Sequence, residues 1–190
     1  VYTLGNWGVL QGLVYKKFVE KFFNVYEISK RPGVVSAFGL DFGYTNDPSA
    51  LFCGLVDEKN KEIYVFDELY ERGLTNMELA PKIQLMGYGK EKIIGDSAVP
   101  QTIEELRQLG LSRIEGAYKH EVMYGIQKLM NFTFIIHPKC RNFINEINNY
   151  SYAEKDGESI NKPIDKFNHL MDAMRYAVIP QLEGDVFSFK

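Results

Sequence analysis

Three aspartates in this 190-residue chain stand where an unpaired carboxylate is costly. Asp41 follows an apolar run in Gly39-Leu40-Asp41-Phe42-Gly43-Tyr44, and Asp96 follows another in Ile93-Ile94-Gly95-Asp96-Ser97-Ala98. Asp172 lies where Leu170, Ala173, Met174, Ala177 and Val178 trace the i, i+3, i+4, i+7, i+8 stripe of a core-facing helix. At about 100° per residue, His169, Asp172 and Tyr176 cluster about 130° from the centre of that stripe, on a flank facing outward from the apolar packing. Three like charges within reach of one another repel, so they form no structural network unless some are protonated. Divalent cations resolve the conflict. Oxygen ligands favour Mg²⁺ or Mn²⁺ over zinc, and a pair of such ions can clamp the attacking and leaving oxygens of an in-line phosphoryl displacement.

Each residue also has an ordinary explanation. A strand-end aspartate is often a turn-former or helix N-cap, and Asp47 before Pro48 is the clearest case. A histidine three residues before an aspartate on a helix is usually a surface pair. Glu68 is a candidate supporting acid, whereas His120 and His137 have no partner in view and read as structural. The joint pattern carries the chemistry.

The elements that must position these residues follow from periodicity and turn signals. Val1 to Gly33 mixes apolar and basic residues without a sustained period and ends at Arg31-Pro32-Gly33, so it reads as a connecting arm. Strands are expected at 34–41, 50–56 and 63–69, antiparallel because their connections are too short for a crossover helix. Helices at 76–86, 102–109, 120–130 and 140–150 then alternate with strands at 92–95, 112–117 and 132–136. Ser151 to Pro163 is polar and reads as a hairpin or mobile loop, and a last helix over 167–178 is ended by Pro180. This order predicts an α/β domain: a mixed sheet with three antiparallel strands and helices on both faces.

Composition bounds the rest. Lysine and arginine total 22 against 25 acids, a formal charge of −3, so any dealings with nucleic acid must be local and not a global basic excess. Cys53 and Cys140 have neither disulfide-framework nor zinc spacing, which points to reduced surroundings. No apolar run approaches the roughly 18 residues of a membrane span, and lysines with Glu20 interrupt any signal-peptide core, so a non-exported protein without membrane contact is expected. The length fits one domain, and a start at Val1 inside an apolar segment suggests a piece of a longer polypeptide.

Asp41-Phe42-Gly43-Tyr44-Thr45-Asn46-Asp47-Pro48-Ser49-Ala50, Gly95-Asp96-Ser97-Ala98 and Asn168-His169-Leu170-Met171-Asp172-Ala173-Met174-Arg175-Tyr176-Ala177 together resemble the C-terminal nuclease domain of the large terminase subunit of tailed bacteriophages. Tyr124-Gly125-Ile126 and the preceding Ala117-Tyr118-Lys119 match as well, and Gly5-Asn6-Trp7-Gly8 with Gly12-Leu13-Val14-Tyr15 resemble the linker after the packaging ATPase domain. The resemblance implies an RNase H-like fold over 34–190, an arm over 1–33, and a two-metal endonuclease that cuts concatemeric viral double-stranded DNA. It implies Asp41, Asp96 and Asp172 as ligands of two Mg²⁺ or Mn²⁺ ions, Asp47 as a further acid, and His169 as an additional catalytic residue.

The implied partners are DNA, the ATPase domain of the same polypeptide, the small terminase subunit and the portal protein, in the cytoplasm of a bacterial host. Lys119, Lys128, Lys155, Lys162 and Lys166 are candidate phosphate contacts. The family's Lys/Gly/Ser-rich loop is here Tyr118-Lys119-His120-Glu121, and no GxxxxGK[ST] string is present, so the motor is not in this chain. The competing readings are a Holliday-junction resolvase or transposase core, an actin-like ATPase fragment suggested by Asp41-Phe42-Gly43-Tyr44-Thr45, and a non-catalytic docking module.

Overall fold

Side-chain alternation along the β-rich runs builds a seven-stranded sheet with a separate apolar core on each face. The computed structural model describes residues 12–43, 46–155 and 158–184. Strands β1 (Phe18–Glu20), β2 (Val34–Asp41), β3 (Pro48–Asp57), β4 (Glu62–Arg72), β5 (Ile93–Gly95), β6 (Ile114–Gly116) and β7 (Thr133–Ile136) lie in the order β1-β7-β4-β3-β2-β5-β6. Only β3 runs against its neighbours, so β2, β4 and β5 end toward the same edge. In β3, buried along its whole length, Ala50, Phe52 and Val56 enter one core while Leu51, Cys53 and Leu55 enter the other.

The first core is capped by α4 (Val122–Leu129), α5 (Arg141–Ile147) and α6 (His169–Leu182). The second is capped by α1 (Val25–Ser29), α2 (Asn76–Leu85) and α3 (Pro100–Gln108). Helices on both faces of a mixed sheet agree with the expected architecture. Of the hairpin or mobile loop expected over 151–163, the structure shows paired strands, β8 (Tyr152–Lys155) against β9 (Glu158–Pro163), outside the main sheet.

Three expectations need correction. From residue 13 onward the arm is part of the packing: Leu13, Val14 and Tyr15 are buried, and β1 pairs in parallel with β7. A three-residue edge strand is too short to show a period, which is why this stretch reads as a connecting arm. Pro180 does not end the last helix, which continues to Leu182. A proline in the final turn removes one backbone bond there, and the Glu183 N–H still donates to Ile179 O at 3.2 Å. Glu68 serves a helix and not the acid cluster: it accepts from Asn142 N, Asn142 Nδ2 and Phe143 N, all at 2.8 Å, at the start of α5. The motif residues Gly5, Asn6, Trp7, Gly8, Tyr44 and Thr45 lie outside the described residues.

One contact sets the distance between β2 and α6. A Cβ at Gly39 would stand 1.9 Å from Ala173 O and 3.0 Å from Ala177 Cβ, so only glycine lets the helix lie against the strand. Gly39→Ala is expected to destabilise the domain by at least about 2 kcal/mol through overpacking. Urea unfolding monitored by circular dichroism checks this, and an unchanged midpoint would contradict the packing.

Candidate metal-binding active site

The period of two along β2 puts residues 37, 39 and 41 on one face, so the face that packs Gly39 under α6 also carries Asp41 at the strand's end. The first turn of α6 supplies the residues that meet it. His169 Nδ1 lies 3.0 Å from Asp41 Oδ2, and His169 Nε2 lies 3.9 Å from Asp47 Oδ1. Asp47 lies close to the end of β2, since a Cβ at Gly43 would stand 2.2 Å from Asp47 O. Asp172, one turn further along, accepts from Asn168 Nδ2 at 3.3 Å and from Arg175 Nη2 at 2.9 Å. Asp96 follows β5, with its N–H donating to Leu40 O at 3.1 Å and its Oδ1 accepting from Ala98 N at 2.9 Å. It therefore forms the ordinary strand-end turn while lying in the same electrostatic field as Asp41 and Asp172.

The helix flank bearing His169 and Asp172 does not face outward. Their side chains are 20 % and 18 % exposed, because the ends of the strands and the neighbouring α5 cover a face that helical periodicity alone leaves open. Burial pushes the Asp41 carboxyl up to about 6, the hydrogen bond with His169 opposes that rise, and the charges of Asp172 and Asp96 add to it. The hydrogen bond to Asp41 raises the pKa of His169 against the effect of burial. Burial raises that of Asp172, with Arg175 opposing.

Three participants are absent from the sequence-based expectations. Glu146 is fully buried and accepts from Leu170 N at 2.7 Å and Tyr70 Oη at 2.9 Å, so it ties α5 and β4 to the first turn of α6. Its signal is present in the residues: Phe143, Glu146, Ile147 and Tyr150 follow one helical stripe, and an acid on a core stripe needs partners. Tyr70 is the second, with its ring centroid 6.3 Å from that of His169. Arg175 is the third, legible as the i+3 neighbour of Asp172. His120 proves to be partnered as well, with Nε2 3.2 Å from Glu183 Oε2 and its ring stacked on Tyr124.

Among the described residues, no group of three or more His, Cys, Asp or Glu side chains is arranged to hold a metal ion as it stands. The donor chemistry nevertheless fits one. Carboxylates from two strand ends and a helix share a shielded corner, and their mutual repulsion helps to lift the Asp41 carboxyl. A cleft of about 190 Å³ beside Asp172 and Asn168 is lined also by Tyr150, Lys162 and Asp165. Of the candidate phosphate contacts, Lys162 therefore borders the site, Lys119 and Lys155 are exposed, and Lys128 and Lys166 lie over the rings of Tyr124 and Phe167.

Residues 41–179 match the family model described as the terminase RNase H-like domain. The chain belongs to that family. It is 32 % identical over 178 residues to the terminase large subunit of Bacillus phage SPP1, covering 90 % of this chain and 40 % of that protein. It is 30 % identical over 145 residues to the PBSX phage terminase large subunit of Bacillus subtilis, covering 74 % of this chain and 33 % of that one. It thus spans well under half of the curated relatives it matches.

Among solved structures, the SPP1 large-terminase nuclease domain with bound Mn superposes with a TM-score of 0.76 at 32 % identity, over 85 % of this chain and 93 % of that one. The P22 large-terminase nuclease domain gives a TM-score of 0.65 at 15 % identity over 88 % and 91 %, which speaks to the fold alone. The expected terminase nuclease domain of RNase H-like fold therefore stands. Family membership favours it over a junction resolvase, a transposase core or an actin-like fragment.

Within the terminase domain, Glu146 is a positioning residue, because it holds the backbone that carries His169 and Asp172. Glu146→Ala leaves the Leu170 N–H and the Tyr70 hydroxyl without their acceptor and is expected to cost roughly 2–4 kcal/mol, with Glu146→Gln milder because it keeps an acceptor. Chemical denaturation of both variants checks the order, and equal losses would contradict it.

Proposed function

We propose that this domain cuts concatemeric double-stranded DNA into genome units by two-metal phosphodiester hydrolysis. The observation that carries the reading is geometric: His169 from the first turn of α6 meets Asp41 at the end of β2 at 3.0 Å, on the helix that also carries Asp172. The similarity to a nuclease domain solved with bound Mn supports it. Asp41, Asp96 and Asp172 would hold two Mg²⁺ or Mn²⁺ ions, with Asp47 as a further acid at the mouth of the site. The bound cations supply charge stabilisation for an in-line displacement at phosphorus.

The chain's own residues do the rest. His169 Nδ1 lies 3.0 Å from Asp41 Oδ2, and with the proton of the neutral ring on Nδ1 its Nε2, on the side of Asp47, would be free to take up or relay a proton. Glu146 and Tyr70 keep the first turn of α6, and with it that imidazole, in register with β2. Lys119, Lys155 and Lys162 would meet phosphates and not bases, which makes binding weak in sequence preference and steep in salt dependence.

The full polypeptide would join this domain to the packaging ATPase domain and work with the small terminase subunit and the portal in the host cytoplasm. Residues 1–33 would form the connection, with residues 13–20 folded into the nuclease. No helix among the described residues is long and apolar enough to cross a membrane. Asp41→Asn and Asp172→Asn are each expected to abolish plasmid nicking by the domain in Mn²⁺, with the folded state verified by circular dichroism. Undiminished cleavage by either variant would sink the assignment.

A further inference from the structure

Arg175 is 8 % exposed, and its guanidinium meets Asp172 Oδ1 at 2.9 Å. It cannot readily swing away. The backbone of α4 passes so close that a Cβ at Gly125 would stand 2.5 Å from Arg175 Cδ and 2.7 Å from its Cγ, and the Tyr176 ring lies 4.9 Å from the guanidinium carbon. Arg175 Nε is buried without a hydrogen-bond partner among the described residues. A guanidinium placed for full hydrogen bonding would not leave a buried donor unpaired, so its position is set by the ion pair with Asp172 and by the clamp of α4. The result is a fixed positive charge beside one oxygen of an acid at the candidate metal centre.

We propose that Arg175 is an internal counter-ion: it holds Asp172 in the metal-free domain and opposes a divalent cation there, so the site takes up metal weakly and exchanges it readily. The inference rests on the reading of Asp172 as a metal ligand. Arg175 acts through Asp172 and is a positioning residue. The same pairing limits the repulsion among the acids when no cation is bound, and an incoming cation must work against the charge that provides this relief. Even with water-like screening, a unit charge about 5 Å from a divalent ion corresponds to more than about tenfold in a binding constant.

Isothermal calorimetry with MnCl₂ at pH 8 tests this on the folded domain. Arg175→Gln is expected to bind Mn²⁺ at least about tenfold more tightly than the unmodified chain, and Arg175→Lys, which keeps the charge, to stay within about threefold of it. Thermal melts of the same proteins separate a merely structural role, which would lower the melting temperature equally with and without Mn²⁺ and leave the affinity unchanged. That result overturns the inference alone, whereas an unmodified chain that binds no Mn²⁺ overturns the metal site and the inference together. Should Arg175→Gln fail to fold, the unmodified chain still decides. The ¹⁵Nε resonance of Arg175 should shift saturably during a Mg²⁺ titration, and a resonance that stays in place while Mg²⁺ binds overturns the proposal.

Discussion

Carboxylates crowded into a shielded corner repel one another and resist desolvation, and this domain brings them together by laying a helix directly against a strand. The approach of α6 to β2 at Gly39 is the geometric condition for everything else at the site. With Ala173 O taking the space a side chain would need, the first turn of α6 falls beside the end of β2, where Asp41 emerges. Side-chain volume at a position outside the acid cluster thus sets the separation of the groups proposed to act.

Holding that arrangement requires more than apolar burial. A helix terminus leaves backbone N–H groups unsatisfied, and at α6 one of them is taken by Glu146, an acid with no exposure to solvent. Burial raises the pKa of Glu146, and its bonds to Leu170 N and Tyr70 counter that rise. Glu68 does the corresponding work at the start of α5. Acids that cap helices thus support acids that face the cleft, and each network joins elements far apart in sequence: β4 to α5 through Glu68, and β4, α5 and α6 through Glu146. The tertiary structure is therefore coupled to the site by hydrogen bonds whose loss would leave buried groups unpaired.

Much of this is legible in the residues. The runs ending at Asp41 and Asp96 and the stripe beneath Asp172 identify two strands and a helix, because an unbroken apolar run and a period of 3.6 are both local properties. What escapes is mostly non-local. The strand Phe18–Glu20 exists because β7 offers it an edge, and nothing within its three residues announces that. The shielding of His169 comes from elements that helical phase cannot see, which is why the flank reads as outward-facing. Glu146 differs from these, since its place on a core stripe is visible in the amino-acid sequence itself. Pro180 misleads because the rule that proline stops a helix holds for interiors and not for a final turn.

The formal charge of −3 takes on a different meaning once its distribution is known. Two divalent cations at the proposed site would carry it to about +1, so affinity for a phosphate backbone would depend on metal loading. Metal and DNA then favour one another, because each supplies the charge that the other lacks, and the coupling is reciprocal by thermodynamic necessity. His169 against Asp41 and Arg175 against Asp172 already offset part of the acidic cluster from within the fold. On the proposed function, a domain compensated in this way would offer DNA little net attraction without a bound cation. With so little net attraction, it would leave the grip to other parts of a terminase and would cut the DNA that they deliver.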